Sequence, residues 1–172
     1  MLNPFATEAV SFETPIAMLE ACHERVRHYS TLLVKLSAHL AEHGADQEVA
    51  NAAKSVLRYF DVAAPLHHAD EECDLFPALL ARANDELVEK IHFIEEEHAE
   101  LHALWAQIRP KLQLIAEGQE VDLSREEARA FFSRYFAHSA REEMEIYPYA
   151  STLLDDTTMA KIGQSMAARR GG

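Results

Sequence analysis

Two stretches of this chain follow one pattern. Residues 67–77 read HHADEECDLFP and residues 138–148 read HSAREEMEIYP, so in both a histidine is followed by a glutamate four residues later and by a proline ten residues later. A second match relates the sequence around His23 to that around His98, since each histidine lies between apolar residues at helical spacing. The sequence therefore predicts two related helical hairpins, each with a histidine on one helix and a His–Glu pair on the other.

The rest of the chain favours helices almost throughout. Apolar residues recur at helical spacing, and the 172 residues include only five glycines. Start and stop signals divide the chain into four long helices and a short amphipathic one. Their expected bounds are Thr14–Pro15 to Gly44, Asp46 or Gln47 to about Leu80, Asn84 to Gly118, Ser124 to about Tyr147, and about 155–169. Short loops between long helices predict an all-α, up-down-up-down four-helix bundle. We expect a single domain, residues 1–172, with its bundle core at about 15–150 and a short helical extension.

Three local features carry expectations of their own. Pro65 and Pro110 lie inside the second and third helices, where a proline removes a backbone hydrogen bond, so both are expected to bend their helix. The terminal segment 169–172 is expected to fray. Cys22 and Cys73 fit no CxxC pattern and are expected to be buried thiols.

The charge of the chain disfavours two classes of partner. With 16 Lys and Arg against 29 Asp and Glu, the formal net charge is −13. Nucleic acids and anionic membrane surfaces both attract positive charge, so neither is expected as a partner. The N-terminal sequence lacks a secretion signal and no apolar run is long enough to cross a bilayer, which predicts the cytoplasm. The excess of carboxylates is either a solvated acidic surface or in part a balance for bound cations.

The repeated His–Glu pairs each lie on one face of their helix. Positions four residues apart are neighbours one helical turn apart, so both side chains of a pair reach the same point. Apolar residues at helical spacing flank each pair, which places it on the inward stripe of its helix. The sequence therefore predicts that six side chains converge inside the bundle: His23, His67, Glu71, His98, His138 and Glu142.

An apolar interior accepts this set only with compensation. Burial of an unpaired carboxylate costs roughly several kcal/mol. Two multivalent cations remove that cost, because carboxylates bridge them while neutral imidazoles fill the remaining positions. The alternative is a metal-free His–Glu hydrogen-bond network or a half-exposed polar seam. The repetition of the pair, together with two further inward histidines, favours the metal site.

His102 is a further ligand candidate, since it lies four residues after His98. The two metals would then have unequal ligand sets: His98, His102 and His138 at one, and His23 and His67 at the other. The second metal would keep an open position for a small ligand.

Other polar residues nearby are expected to lie outside the centre. His68 is expected to point away from it, and Glu72, Glu143 and the run 95–97 are expected to form solvated helix surface. Tyr135 is expected to be an ordinary core aromatic, with a hydrogen bond to a metal-bound oxygen species as the alternative.

These residues resemble the hemerythrin-like, HHE cation-binding family over roughly residues 15–150. The similarity is carried by the histidine in LEACHERV, by the two repeated segments and by the two histidines in EEEHAELH. The resemblance implies a hemerythrin-like bundle and an oxo- or hydroxo-bridged centre of two iron ions, which Glu71 and Glu142 bridge. Oxygen-carrying hemerythrins have an aspartate five residues after the last histidine, where this chain has Glu143. The internal repeat and the bacterial members favour Glu142 as the ligand.

The leading functional hypothesis is a di-iron protein that binds dioxygen, nitric oxide or peroxide for sensing, storage or scavenging. Five histidines with two carboxylates form a nitrogen-rich set, whereas di-iron oxygenases use mostly carboxylates, so reversible binding is favoured over substrate oxidation. Two alternatives stay open: an iron-dependent stress enzyme, acting on peroxide or nitric oxide or in repair of iron–sulfur clusters, and an iron-responsive interaction module. Manganese or zinc would also suit these ligands.

Overall fold

The computed structural model describes residues 10–171, and within that range the only regular elements are helices. The five helices are α1 (Pro15–His43), α2 (47–80), α3 (Asp85–Ala116), α4 (125–153, with a turn at Tyr147) and α5 (Asp156–Arg169). The prediction of four long helices and a short C-terminal one is confirmed. None of these helices combines the length and the apolar composition needed to span a bilayer.

Capping side chains explain where three of the long helices begin. Asp46, Asn84 and Ser124 each accept a hydrogen bond from the backbone N–H three residues later, which satisfies one of the donors left free at a helix start. Ser124 and Glu127 form the reciprocal capping pair that the sequence predicted. Gly44 ends α1 with a φ of 75°, a conformation that glycine adopts without steric cost.

Each long helix packs against two others, which closes the bundle. Both α1 and α3 contact α2 and α4. The connections 44–46, 81–84 and 117–124 are short, and connections of this length join antiparallel neighbours. Consecutive helices therefore alternate in direction, while α5 lies against α1 and the middle of α2.

The hydrophobic core has two halves with a polar layer between them. In α1, Leu19 belongs to one half and Val26 to the other, and the buried His23 lies between them. The other three long helices repeat this order, with a buried histidine on α3, and buried His and Glu residues on α2 and α4, between their apolar turns. The apolar halves therefore shield the polar layer from water at both ends.

Three wide turns interrupt the regular hydrogen bonding of α2 and α4. These π-helical turns are Tyr59–Ala63, Glu71–Leu75 and Glu142–Ile146, and each ends two residues before a proline, namely Pro65, Pro77 or Pro148. A proline lacks the N–H that would continue the α-helical ladder, and its ring crowds the carbonyl one turn earlier, so a wider turn relieves the conflict. The expected disruption at Pro65 thus takes the form of a π turn. Pro110, by contrast, lies within uninterrupted α-helix.

The C-terminal end of α5 is held by a buried carboxylate. Asp70 of α2 is fully buried and receives Nη1 of Arg169 and Nη2 of Arg170, both at 2.6 Å. Arg169 also reaches Asp74 at 2.9 Å. The expectation of a fraying terminus is therefore wrong for Arg169 and Arg170, because these ion pairs tie them to α2; Gly172 lies outside the described residues.

The two cysteines differ in their surroundings. Cys22 is buried in α1, whereas Cys73 is exposed, and both are free thiols. The expectation of two buried thiols is therefore wrong for Cys73. The reason is geometric: position 73 lies two residues after the buried Glu71, which turns it to the opposite side of α2.

We predict that the double variant R169A/R170A is strongly destabilised. It leaves the carboxylate of Asp70 buried without a cation, which should lower the free energy of unfolding by roughly 3 kcal/mol. This is the low end of the range for a broken buried ion pair, because water gains access at the chain end. Urea unfolding measures the change. The control K90A removes an exposed pair with Glu86 and should leave the midpoint nearly unchanged. Equal midpoints for the two variants would show that the C-terminal ion pairs do not hold α5.

Candidate metal centre

All four long helices contribute to one buried cluster. The six side chains that the sequence placed inside the bundle are each no more than 2% exposed. One lies on α1, two on α2, one on α3 and two on α4: His23, His67 with Glu71, His98, and His138 with Glu142.

The donor atoms of this cluster form two adjacent groups with glutamates between them. One group consists of one nitrogen each from His68, His98 and His138, which lie within 4.8 Å of one another. The other consists of one nitrogen each from His23 and His67 and one oxygen of Glu142, within the same distance of one another. A third group, on the same criterion, joins Glu71 and Glu142 to His98. The arrangement is thus a position with three imidazoles beside a position with two, and both glutamates lie at their junction.

His68, and not His102, completes the group of three. The ring of His68 is 3% exposed and stacks on that of His98 at 4.0 Å, whereas His102 is exposed and belongs to none of the groups. The expectations for both residues need correction, because α2 lies between two neighbours. Adjacent helical residues differ by about 100°, so His67 faces His23 on α1 while His68 faces α3.

A second layer of side chains orients the imidazoles. Nδ1 of His23 lies 3.0 Å from Glu143, that of His98 lies 2.8 Å from Glu72, and that of His138 lies 3.3 Å from Glu97. A carboxylate accepts a hydrogen bond from Nδ1–H, which leaves the lone pair of Nε2 directed at the cluster. In the same way, Nδ1 of His68 lies 2.9 Å from Nε2 of His102.

The assignment to solvated surface is therefore wrong for Glu97 and Glu143, which are partly buried. Glu72 is exposed, as expected, and still pairs with His98. The two partly buried glutamates are held by arginines, since Arg27 binds Glu143 at 2.9 Å and Arg141 binds Glu97 at 2.6 Å. The sequence contains a signal for two of the glutamates: Glu72 and Glu143 occupy the same place in the repeated segment, directly after the inward glutamate.

Burial favours the neutral form of five of the donor groups when no cation is present. It lowers the pKa of His23 to about 4, and it lowers the pKa values of His67, His68 and His138 below their ordinary range. These imidazoles are neutral at pH 7, which is the form that binds metals. Burial also raises the pKa of Glu142 well above its usual value.

A tyrosine hydroxyl that none of the sequence patterns indicated lies among the donor atoms. The oxygen of Tyr147 is 3.0 Å from Oε2 of Glu71 and 3.2 Å from both Oε2 of Glu142 and Nε2 of His23. Its place in the first repeat is taken by Phe76. This difference between the two repeats was the available signal. Burial raises the pKa of the Tyr147 phenol well above its usual value.

Comparison with known proteins assigns the chain to a family. The hemerythrin HHE cation-binding domain matches residues 14–150, a range that contains every residue of the cluster. The chain belongs to the hemerythrin HHE cation-binding family. A protein of Haemophilus influenzae, described only as uncharacterized, is 34% identical over 160 residues, which cover 93% of this chain and 92% of that protein. The similarity to this relative therefore extends beyond the HHE domain.

The cluster fits the cation that an HHE domain binds. Nine buried side-chain atoms within residues 10–171 have no hydrogen bond of acceptable geometry, and five of them are potential metal donors of this cluster: Nε2 of His67, His98 and His138, and Oε1 of Glu71 and Glu142. Buried polar atoms are nearly always paired. Five unpaired lone-pair atoms at one point are costly in a metal-free interior, and a multivalent cation removes that cost.

We predict that His68→Ala weakens metal binding more than His102→Ala. His68→Ala removes a donor of the three-imidazole group. His102→Ala removes only the hydrogen-bond partner of His68 Nδ1, and the loss of such a partner typically costs about 10–100-fold in metal affinity. Competition between the protein and a chelator for ferrous iron under nitrogen measures both affinities. A larger loss in His102→Ala would restore His102 as the ligand and remove His68.

Proposed function

We propose that the chain binds two iron ions and that the resulting centre takes up dioxygen or a related small oxidant, nitric oxide or peroxide. The observation that carries this proposal is the unequal pair of donor groups. His68, His98 and His138 hold one iron, His23 and His67 hold the other, and both glutamates are shared. This set contains five imidazoles, as the sequence analysis proposed, with His68 in place of His102.

The composition of the donor set supports iron and a role in binding small molecules. Imidazole suits iron as well as zinc, copper and nickel, whereas carboxylate-rich sites suit manganese, magnesium and calcium. Di-iron proteins that oxidise organic substrates use mostly glutamates. A nitrogen-rich centre with Glu71 and Glu142 as its only carboxylate donors therefore favours uptake and release over insertion of oxygen into a substrate.

The inequality of the two positions supports a place for a small ligand. Three imidazoles and two carboxylates supply five donors to one iron, whereas the His23–His67 position receives two imidazoles and the same two carboxylates. Iron supplies a reversible change of oxidation state and, at the less saturated position, room for a small molecule. The protein contributes fixed imidazoles and an interior that the two apolar core halves keep free of water.

An apolar cavity next to the centre suits the size and polarity of such ligands. It has a volume of about 300 Å³ and is lined mainly by apolar side chains, among them Phe60, Trp105 and Tyr135. His102 and the ion pair of Asp61 with Arg109 complete its wall. The rings of Tyr135 and His138 are 6.5 Å apart, so the cavity borders the three-imidazole group. Dioxygen and nitric oxide are small and weakly polar, and a cavity with mostly apolar walls admits them. Neither His23 nor His67 lines it, so it supports access to the centre from the side of the three-imidazole group.

Sensing, storage or scavenging of a small oxidant in the cytoplasm is the role that we propose for this centre. Cys22 and Cys73 are both free thiols, and cysteines remain unpaired in reducing compartments, which supports that location. A stress enzyme that consumes peroxide or nitric oxide uses the same residues, and turnover faster than that of free iron would distinguish it from simple binding.

We predict that protein loaded with ferrous iron under nitrogen contains two irons per chain and gains an oxygen-dependent visible absorption band in air. Glu142→Gln should lose the band and bind fewer than two irons, because the neutral amide cannot replace a shared carboxylate. Glu143→Gln is the matched control. It weakens the hydrogen bond from His23 Nδ1 and removes the ion pair with Arg27, but it leaves both shared carboxylates in place. It should therefore keep the band and lose at most about 10–100-fold in iron affinity. Binding of one iron or none by the unaltered protein, or a spectrum that air leaves unchanged, would refute the proposed function.

A further inference from the structure

We propose that Tyr147 is a ligand of the metal held by His23 and His67, in addition to the histidines and glutamates. This inference rests on the proposed function, since it concerns the same two-metal centre. It assigns a role to a residue that none of the His–Glu patterns in the sequence includes.

The distances around the Tyr147 oxygen are those expected of atoms that share a metal. Donors bound at about 2.1 Å and at right angles lie roughly 3 Å apart. The Tyr147 oxygen lies at 3.0 and 3.2 Å from Oε2 of Glu71 and Glu142, and at 3.2 Å from Nε2 of His23. The histidine and glutamate donors of the cluster are spaced similarly: Oε1 of Glu71 lies 3.2 Å from Nε2 of His67 and 3.6 Å from Nε2 of His98.

Hydrogen bonding alone does not account for three such contacts. A phenol has one proton and satisfies one acceptor. Nε2 of His23 offers a lone pair, because the hydrogen bond from Nδ1 to Glu143 fixes the proton on the other nitrogen. The phenol proton satisfies one contact, and the proton of a neutral Glu142 satisfies a second. With Glu71 ionised, the remaining contact brings lone pairs together, and a cation between these atoms turns that repulsion into attraction.

The π turn explains how Tyr147 reaches this place. The backbone N–H of Tyr147 donates to the carbonyl of Glu142, five residues earlier, at 2.9 Å. In an α-helix, residues five apart diverge by about 140°, whereas the wider turn brings them close to one face. The side chains of Glu142 and Tyr147 consequently point to the same metal position.

The internal repeat gives the tyrosine a counterpart. Phe76 occupies the equivalent place after Glu71, and its ring stacks at 6.1 Å on His98, which belongs to the three-imidazole group. Tyr147 stacks at 5.4 Å on His23, which belongs to the two-imidazole group. The group with three imidazoles therefore has a phenylalanine beside it, and the group with two has a hydroxyl in place of the missing nitrogen. With Tyr147 as a ligand this position would have five protein donors, as the other has, and a small ligand would take the sixth.

Ligation changes the chemistry of the two-imidazole position. As the bond between metal and phenolic oxygen forms, the O–H bond breaks and the proton is released to solvent. The bound cation compensates the buried phenolate that the apolar surroundings otherwise disfavour. An anionic oxygen donor stabilises ferric over ferrous iron, so among the roles proposed above this ligand favours the consumption of peroxide or nitric oxide over the reversible binding of dioxygen.

The test is the visible and resonance Raman spectrum of the protein loaded with two ferric ions. Ferric phenolate gives a charge-transfer band whose excitation enhances the ring vibrations of the tyrosine ligand. We expect these vibrations in the unaltered protein and in the control Tyr59→Phe, and their loss in Tyr147→Phe. Tyr59 is a suitable control because it is also buried, but its hydroxyl donates to the backbone carbonyl of Cys22.

The spectrum of the unaltered protein is informative even if the Tyr147→Phe variant does not fold. Two bound ferric ions without tyrosinate vibrations would overturn the ligand assignment while leaving the proposed function intact. Vibrations that persist in Tyr147→Phe would also overturn it. Failure of the unaltered protein to bind two ions would instead refute the proposed function, and this inference with it.

Discussion

The structure depends on the burial of two glutamates at the centre of a helical bundle. Glu71 and Glu142 are fully buried and lie among imidazole nitrogens that also lack hydrogen-bond partners within the described chain. Taken alone, such a set opposes folding, since each uncompensated carboxylate costs roughly several kcal/mol. All four long helices nevertheless converge on it, and an apolar core closes it on both sides. A bound cation reconciles these facts, because it turns mutually repelling lone pairs into ligands.

Prolines connect the sequence of α2 and α4 to the position of the donor atoms. Pro77 and Pro148 each follow a π turn that begins at an inward glutamate. The wider turn shifts the side chains that follow by a fraction of a turn, which brings Phe76 and Tyr147 against the cluster. A feature that weakens an ordinary helix thus determines what surrounds the metal, in agreement with the frequent occurrence of π turns at functional sites.

The sequence predicted the helices and most of the site, because both depend on local periodicity. Caps such as Ser124 with Glu127 and the spacing of His67 and Glu71 act within one helix, and they survive packing unchanged. Other features depend on which neighbour a side chain faces. His67 and His68 are adjacent in sequence, yet both are buried because α2 has a neighbouring helix on either side. The periodicity of α2 alone does not show whether His68 is buried or exposed. The same holds for the contacts of Arg169 and Arg170 with Asp70, which join residues about 100 positions apart.

Anomalous X-ray diffraction from crystals of iron-loaded protein, collected at the iron absorption edge, would locate any iron among the buried donors. Two anomalous peaks are expected inside the bundle. One should lie within bonding distance of the Nε2 atoms of His98 and His138, and the other within bonding distance of the Nε2 atoms of His23 and His67. Crystals of folded, iron-soaked protein with no peak among these side chains would show that the buried donors hold no metal.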